Sequence, residues 1–322
     1  VLGMHYKEMP IMEWANQTFS LDFSLLGLFS HTPTHIILFS LVLGIFTGAI
    51  FRNALLVLLI YLDTWLHMPM YFLLSQLSLV DLILICTTVP RMACSYLSGK
   101  KSISVGGCEA QIFFYMSLLG AECLLLAIMA YDRYVAICHP LQYPRLMIQK
   151  MCRLIAASSR VLESLDWIVD VAATLSFSYC GSHKIAQFCD LPALFSLSSM
   201  DTSTFETLVF VYCIVILFLH LLLIIVSYTH VILTVICRSS GEGRQKAFTT
   251  CTSHLSVVGE AMFTYMWPTS NCSPNQDKMV STFYTILTPM LSPLVYSLHN
   301  KDMAKAFMKV LRETRCTGGF KR

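Results

Sequence analysis

Charged residues are scarce in this sequence: they make up only 13% of its 322 residues, against 56% that are hydrophobic. Soluble domains carry about 25% charged residues, so an ordinary soluble two-domain protein is excluded. The net charge of +3 gives no strong field of either sign, and so nothing indicates nucleic acid or another polyanion as a partner. The partner that this composition indicates is membrane lipid.

Motifs of enzymes and metal centres are missing as well. The 13 cysteines form no CxxC pair, and neither HExxH nor GxSxG occurs, which argues against a membrane enzyme. The sequence also shows neither an inverted repeat nor a matched pair of broken helices, the features that are typical of a transporter. An ion or proton transporter is kept as an alternative, because four carboxylates are predicted at membrane depth: Asp81, Glu122, Glu163 and Glu260.

Long apolar runs are what the sequence has instead. A helix needs about 20 apolar residues to cross a bilayer core about 30 Å thick, because only the helix satisfies its own backbone there. The sequence predicts an all-α membrane protein, a bundle of seven transmembrane helices over residues 34–62, 69–93, 109–131, 152–178, 205–236, 247–268 and 279–298. No cleavable signal peptide precedes the first run, which is expected to act as the signal anchor.

Basic residues are distributed unevenly between the loops, and this asymmetry predicts the orientation. With an extracellular N-terminus over 1–33, the cytoplasmic side receives the basic residues of 145–153, 238–246 and 299–322. The sequon at Asn16 agrees, because N-glycosylation occurs on the lumenal side. We therefore predict a multi-pass plasma-membrane protein with a cytoplasmic C-terminus.

Both ends of the chain carry local signals. Residues 12–14 read Met-Glu-Trp and are a more natural start than Val1, so 1–11 are a candidate gene-model extension. Residues 300–308 place apolar and basic side chains at helical spacing. This pattern favours a short amphipathic eighth helix on the inner leaflet, with a solvated tail as the alternative.

An acidic and a basic residue stand together at the cytoplasmic end of the third span, within residues 129–140, MAYDRYVAICHP. This segment resembles the olfactory receptor family of rhodopsin-like class A G-protein-coupled receptors. Residues 118–122 and 240–243 are most similar to family 2 of the tetrapod-type receptors. Further segments that resemble the family lie at 69–73, 77–81, 246–255 and 289–298, and the resemblance covers roughly residues 12–312.

The resemblance implies a receptor domain over 34–298 that binds small volatile odorants and activates a stimulatory, olfactory-type heterotrimeric G protein, raising cyclic AMP. It implies a binding switch and not an enzyme. The residues expected to couple to the G protein or to switch are Asp132, Arg133, Tyr134, Tyr228, Pro293 and Tyr296. The residues expected to line the ligand cavity are Tyr115, Met116, Leu119, Gly120, Tyr212, Ser281, Thr282 and Thr285.

Asp81 and Glu122 are costly at membrane depth unless they are neutralised or paired. The resemblance places them near Ser292, where relatives hold a sodium ion or a proton. The residues alone leave open a protonated, hydrogen-bonded pair of purely structural value. A sodium ion is therefore the one cofactor expected here, and no other metal is predicted.

Two cysteines are paired by the resemblance, Cys108 with Cys189. Ser199 stands where the family usually supplies a partner for Cys180, which leaves Cys180 with either Cys272 or no disulfide.

Four charged residues depart from the family pattern. Arg52 lies beside a packing position of the first span, and Glu260 follows a gap of about four residues, or about one helical turn, in the sixth. Arg160 and Glu163 replace a tryptophan and a small residue in the fourth span, and their spacing of three would let them pair. An unpaired charge at the bilayer centre costs about 2.5 to 3.5 kcal/mol, so a degraded receptor with poor folding or signalling is the second alternative.

Overall fold

Long α-helices dominate the structure, a computed structural model. It describes residues 22–25, 33–98, 102–175, 184–185 and 201–238, with the single positions Cys189, Phe195, Ser198, Thr252 and Met308. The helices are α1 (Pro33–Leu62), α2 (Pro69–Ser98), α3 (Val105–Cys138), the short α4 (Tyr143–Leu146), α5 (Gln149–Leu175) and α6 (Ser203–Arg238), and a 3-10 turn (Thr64–Leu66) precedes α2. Apart from Thr252 and Met308, the predicted sixth and seventh spans and the predicted eighth helix lie outside the described residues.

Four of the described helices are long and apolar enough to cross a membrane: Ile36–Leu62, Pro69–Ser98, Val105–Cys138 and Ser203–Cys237. They correspond to the predicted first, second, third and fifth spans. The second and third helices continue past the predicted ends at 93 and 131. A span predicted from hydropathy ends at the first polar residues, whereas the helix itself continues through the interfacial region beyond the apolar core.

Helix α5 matches the predicted fourth span in position but not in apolar composition. It forms where the span was expected, and its 27 residues give a length of about 40 Å. It is not one of the four helices that are apolar enough to cross a membrane, because six of its residues are charged: Lys150, Arg153, Arg160, Glu163, Asp166 and Asp170. Length alone therefore supports a fourth crossing.

Local chemistry explains where two helices begin. Ser104 caps α3, its side-chain oxygen accepting a hydrogen bond from the Gly107 amide at 3.2 Å. Asp201 precedes α6 and accepts hydrogen bonds from the Ser203 hydroxyl at 2.6 Å and the Ser203 amide at 3.1 Å. These bonds lower the pKa of Asp201. Both caps satisfy amides that have no partner within the first helical turn.

Helix α3 is the centre of the described bundle: it packs against α2, α5 and α6, and α1 packs against α2. The larger buried cluster joins these helices, and its most buried members include Leu73, Leu77, Leu125, Leu126, Ala127 and Val231. By contrast, α6 exposes large apolar side chains such as Phe218 and Leu219. An exposed apolar surface of that kind is suited to contact with lipid and not with water.

A small sheet, which the sequence did not predict, joins the N-terminal segment to a strand just before α3 and a strand between α5 and α6. Its strands are β1 (Asp22–Leu25), β2 (Ser102–Ser104) and β3 (Lys184–Ile185), in the order β2-β1-β3. Strand β1 is antiparallel to β2 and parallel to β3. The sheet is therefore a minor addition to the predicted all-α architecture.

A disulfide joins Cys108 of α3 to Cys189, with the two Cα atoms 5.3 Å apart, and confirms the predicted pairing. Both residues lie in a second buried cluster with Ile112, Trp167 and Phe195. The bridge therefore ties Cys189 to α3, within a cluster that includes Trp167 of α5.

Removing this bridge should lower the amount of folded protein that reaches the cell surface. The bridge closes a loop with a sequence separation of 81, for which the chain-entropy estimate is about 4 to 5 kcal/mol. We expect Cys108→Ser and Cys189→Ser each to reduce the surface fraction at least about tenfold. The double variant should be no worse than either single one, and flow cytometry of a tagged protein measures all three. Additive losses would show that the thiols act separately.

Candidate functional site

A cavity of about 710 Å³ lies between α3, α5 and α6, next to the loop residue Phe195. This volume falls within the range of small-molecule sites. Apolar side chains make up most of its described lining, among them Trp167, Val209, Phe210, Ile216 and Leu217. The cavity can therefore enclose a small, mostly apolar molecule.

Four of the predicted cavity residues line this space: Met116, Leu119, Gly120 and Tyr212. Tyr115 is half-buried on α3 and is not among the described residues of the lining. Ser281, Thr282 and Thr285 lie outside the described residues. The structure thus brings together three of the four predicted residues of α3 and the predicted residue of α6, and it leaves Tyr115 outside the described lining.

Several lining residues were not predicted, notably Cys123, Trp167, Cys213 and His220. Helical spacing contains a signal for them. Residues 116, 120 and 123 recur on one face of α3, as do 163 and 167 on α5 and 209, 213, 216 and 220 on α6. Once one residue of each face is assigned to the cavity, the residues three or four positions away on the same helix can be predicted to line it too.

Glu163 also lines the cavity, on the α5 side. Its carboxylate lies so close to Gly120 that a Cβ atom at that position would collide with it. Arg160 points to another neighbour, and its Nη2 donates a hydrogen bond to the backbone oxygen of Gln76 on α2 at 3.4 Å. The two charged residues that the sequence offered as a pair thus have separate surroundings.

At the other end of α3, Asp132 is buried and its Oδ1 accepts a hydrogen bond from the Tyr143 hydroxyl on α4 at 3.0 Å. Burial raises the pKa of Tyr143, and the negative charge of Asp132 raises it further. Tyr143 therefore stays a neutral donor. Arg133 Nη2 donates to the sulfur of Met70 on α2, and the Arg133 charge also acts on Asp132.

Further contacts join the same end of α3 to α6. The Tyr134 hydroxyl lies 3.1 Å from Nε2 of His139, and its ring centroid is 5.7 Å from that of His230 on α6. Cys138 Sγ lies 3.2 Å from the Thr234 hydroxyl. Tyr228 of α6 is buried in the main cluster. Pro293 and Tyr296, the remaining predicted switch residues, lie outside the described residues.

Asp81 on α2 and Glu122 on α3 are both buried, 0% and 2% exposed, on helices that pack against each other. Oxygen donors of this type suit a hard cation such as sodium. Ser292, the third predicted donor, lies outside the described residues, as do Asn16, Cys180 and Glu260.

These features describe a multi-pass α-helical membrane protein with a ligand-sized cavity between its helices and a polar cluster at one end of α3. The olfactory receptor family model matches residues 39–314. The chain is 63% identical to human olfactory receptor 2M2 over 305 residues, 93% of this chain and 88% of that protein. It is 64% identical to human olfactory receptor 2M3 over 301 residues, 92% of this chain and 96% of the relative.

Mouse olfactory receptor 2V1 is 50% identical over 307 residues, 94% of this chain and 98% of that protein. The chain therefore belongs to the olfactory receptor family. This confirms the resemblance to family 2 that the motifs indicated, and it places the chain among signalling receptors and not among enzymes.

Proposed function

We propose that this receptor binds small, volatile, weakly polar odorants in the cavity between α3, α5 and α6, and from there activates a stimulatory, olfactory-type heterotrimeric G protein at the plasma membrane. The observation that carries the proposal is the cavity of about 710 Å³, with its mainly apolar lining and its four residues from the sequence prediction. Apolar contacts supply most of the affinity in such a site, and a few polar groups orient the ligand.

The signal would travel from the cavity to the opposite end of α3. There Asp132 is held by Tyr143, and Arg133 is held by Met70. A ligand that binds better to a packing in which these contacts are broken shifts the population towards that packing. The released Arg133 then offers its planar set of donors to a terminal helix of the G protein.

The proposed topology has seven spans with an extracellular N-terminus, and a cytoplasmic tail that begins with an amphipathic helix. Four apolar helices in the described part and the distribution of basic residues support it. We also propose that Asp81, Glu122 and Ser292 hold a sodium ion. Burial of both carboxylates supports a bound positive charge, which would favour the inactive packing.

A cyclic AMP reporter with an odorant panel tests the proposal. Met116→Trp should fill part of the cavity and weaken the response at least about tenfold, because overpacking costs about 1 to 3 kcal/mol. Phe114→Trp is the matched control: Phe114 lies two positions earlier on α3, is exposed and does not line the cavity. Its response should stay within about twofold of wild type, since exposed substitutions change little.

Two results separate the alternatives. Silence of a well-expressed wild-type receptor towards every odorant would contradict the proposed function. Failure of the wild-type protein to reach the cell surface would instead favour the degraded-receptor alternative.

A further inference from the structure

Arg91 is a charged residue in the last third of α2, and the proposed function gives it no role. The side chain is partly buried. Its Nε atom is buried and has no hydrogen-bond partner in the part of the chain that the structure describes. A buried donor that has lost its water is costly unless it finds an acceptor. The guanidinium therefore calls for a partner.

Gln111 on α3 has the same property, because its Oε1 atom is buried without a hydrogen-bond partner among the described residues. Gln111 lies six residues after Val105, the start of α3, and Arg91 lies seven residues before Ser98, the end of α2. At a rise of 1.5 Å per residue, both lie about 9 to 11 Å from the ends that are connected to each other. The two helices pack together. Arg91 and Gln111 are therefore at the same level of the bundle.

Both side chains are directed away from the other packed surfaces of their helices. Val89 and Tyr96 of α2 lie in the cluster that α2 forms with α1, and Arg91 is about 160° and 140° around the helix from them. On α3, Met116 lines the cavity between α3, α5 and α6, and Gln111 is about 140° around the helix from it. The two polar side chains thus lie along the contact between α2 and α3, apart from that cavity.

The positive charge of Arg91 is not neutralised by a carboxylate of the described chain, in which this residue forms no ion pair. Glu109 is the carboxylate of α3 nearest to Gln111, and it is only 2% exposed. Two residues of helix place it on the opposite face of α3. Its Oε1 atom also has no hydrogen-bond partner among the described residues. An anion from outside the chain can therefore bind Arg91 without displacing a protein carboxylate.

We propose that Arg91 and Gln111 form a second ligand site, which binds a small carboxylate between α2 and α3. The parallel N–H donors of a guanidinium match the two oxygens of a carboxylate, whereas a halide ion offers only one point of contact. The Gln111 amide has an acceptor and two donors on a soft terminal torsion. It can therefore turn its NH2 group towards the bound carboxylate.

Under the proposed topology this end of the bundle is extracellular, so that a carboxylate reaches it from water. A bridging water molecule is the simplest alternative occupant, because it can accept from Arg91 and donate to Gln111. Water leaves the charge of the guanidinium unneutralised, however. The two occupants are distinguished by whether the site prefers a charged ligand to a neutral one of the same shape.

Binding to the full-length receptor in nanodiscs of phosphatidylcholine, a lipid without net charge, tests the inference without any signalling step. The probes are butanoate and its neutral analogue butanamide, each titrated and followed by saturation-transfer NMR. We expect butanoate to bind at least about tenfold more tightly than butanamide, because hydrogen bonds between charged partners are the stronger ones. Chloride at the same concentration should not displace it.

Arg91→Gln should weaken butanoate binding at least about tenfold and butanamide binding less than about threefold. Arg91→Lys keeps the charge but loses the planar fork, so its butanoate affinity should be intermediate and its preference over chloride should fall. Arg52→Gln is the matched control, since Arg52 is an exposed arginine on α1. Its butanoate affinity should stay within about twofold of wild type.

Gln111→Glu tests whether the two side chains meet. The introduced carboxylate should pair with Arg91, abolish butanoate binding and raise the melting temperature of the receptor by roughly 2 °C or more. The double variant Arg91→Gln with Gln111→Glu should lose this gain. A Gln111→Glu receptor that still binds butanoate as the wild type does would show that the two residues do not share a site.

Three other outcomes would overturn the inference. Equal binding of butanoate and butanamide to the wild type would leave a water-bridged pair, and unchanged butanoate binding by Arg91→Gln would remove the arginine. Met116→Trp narrows the cavity between α3, α5 and α6, so loss of butanoate binding in this variant would place the carboxylate in that cavity. Silence of the receptor towards odorants, by contrast, would contradict the proposed function and leave this inference intact.

Discussion

Replacing Arg133 with glutamine should lower the potency of G-protein activation at least about 100-fold while ligand affinity changes less than about threefold. Glutamine has a similar length but lacks the charge and the planar set of five donors. Loss of two charge-assisted hydrogen bonds, each about 1.5 to 3 kcal/mol, accounts for that factor. Arg133 lies far along α3 from Met116 and Gly120, which line the cavity, so ligand binding should be spared.

Cyclic AMP output per surface receptor, together with ligand binding to the same cells, measures this prediction. Arg133→Lys is the matched variant: it keeps the charge but loses the planar fork, and its activation should be intermediate. Tyr143→Phe should act in the opposite direction. It removes the hydrogen bond to Asp132 and should raise the ligand-independent signal. Normal activation by Arg133→Gln would remove Arg133 from the proposed mechanism.

The long helices were predictable because apolar runs of membrane length leave the backbone no other structure. The ends of α2 and α3 were not, since the helices continue into polar residues that hydropathy scores as loops. Strand β3 has two residues and β2 has three. Strands this short, paired with segments far away in the chain, leave no periodicity to detect.

The cavity lining likewise contains residues that the sequence predicted and features that only the structure shows. Met116, Gly120 and Tyr212 were found through the family resemblance, not through any pattern of apolar residues. Inside a bilayer both the lipid face and the core face of a helix are apolar, so hydropathy does not reveal which side chains point inwards. The sequence indicates Glu163 as a carboxylate at membrane depth and as a departure from the family pattern, whereas its position against Gly120 follows only from the helix packing.

The same packing bears on whether the charged departures impair the receptor. Arg52 is exposed on α1, while the neighbouring Asn53 keeps the buried position and donates a hydrogen bond to the Ala49 carbonyl at 3.1 Å. The charge at 52 therefore has not entered the α1 packing surface. Arg160 is different, because it is half-buried and its Nη2 donates to a single backbone oxygen at 3.4 Å.

Replacing Arg160 with tryptophan should therefore raise the surface fraction of the receptor about 5- to 30-fold. A central arginine costs about 2.5 to 3.5 kcal/mol on insertion, and a hydrogen bond to a charged group recovers about 1.5 kcal/mol or more, so a net cost of about 1 to 2 kcal/mol is relieved. The same change also removes a charge from α5, which is not among the helices that are apolar enough to cross a membrane. Flow cytometry of a tagged receptor, as surface against total signal, measures it.

Arg153→Trp is the matched control, the same change two turns earlier on α5. Arg153 is exposed and its guanidinium lies 5.9 Å from the centroid of the Phe72 ring. A basic residue near a helix end reaches the interface at little cost, so this variant should change the surface fraction less than about twofold. A higher surface fraction for Arg160→Trp but not for Arg153→Trp would assign the insertion cost to the one buried charge. It would also indicate that the rest of the receptor folds normally. No gain at 160 would contradict that cost, and any folding defect would then have to arise from other departures, such as Glu260.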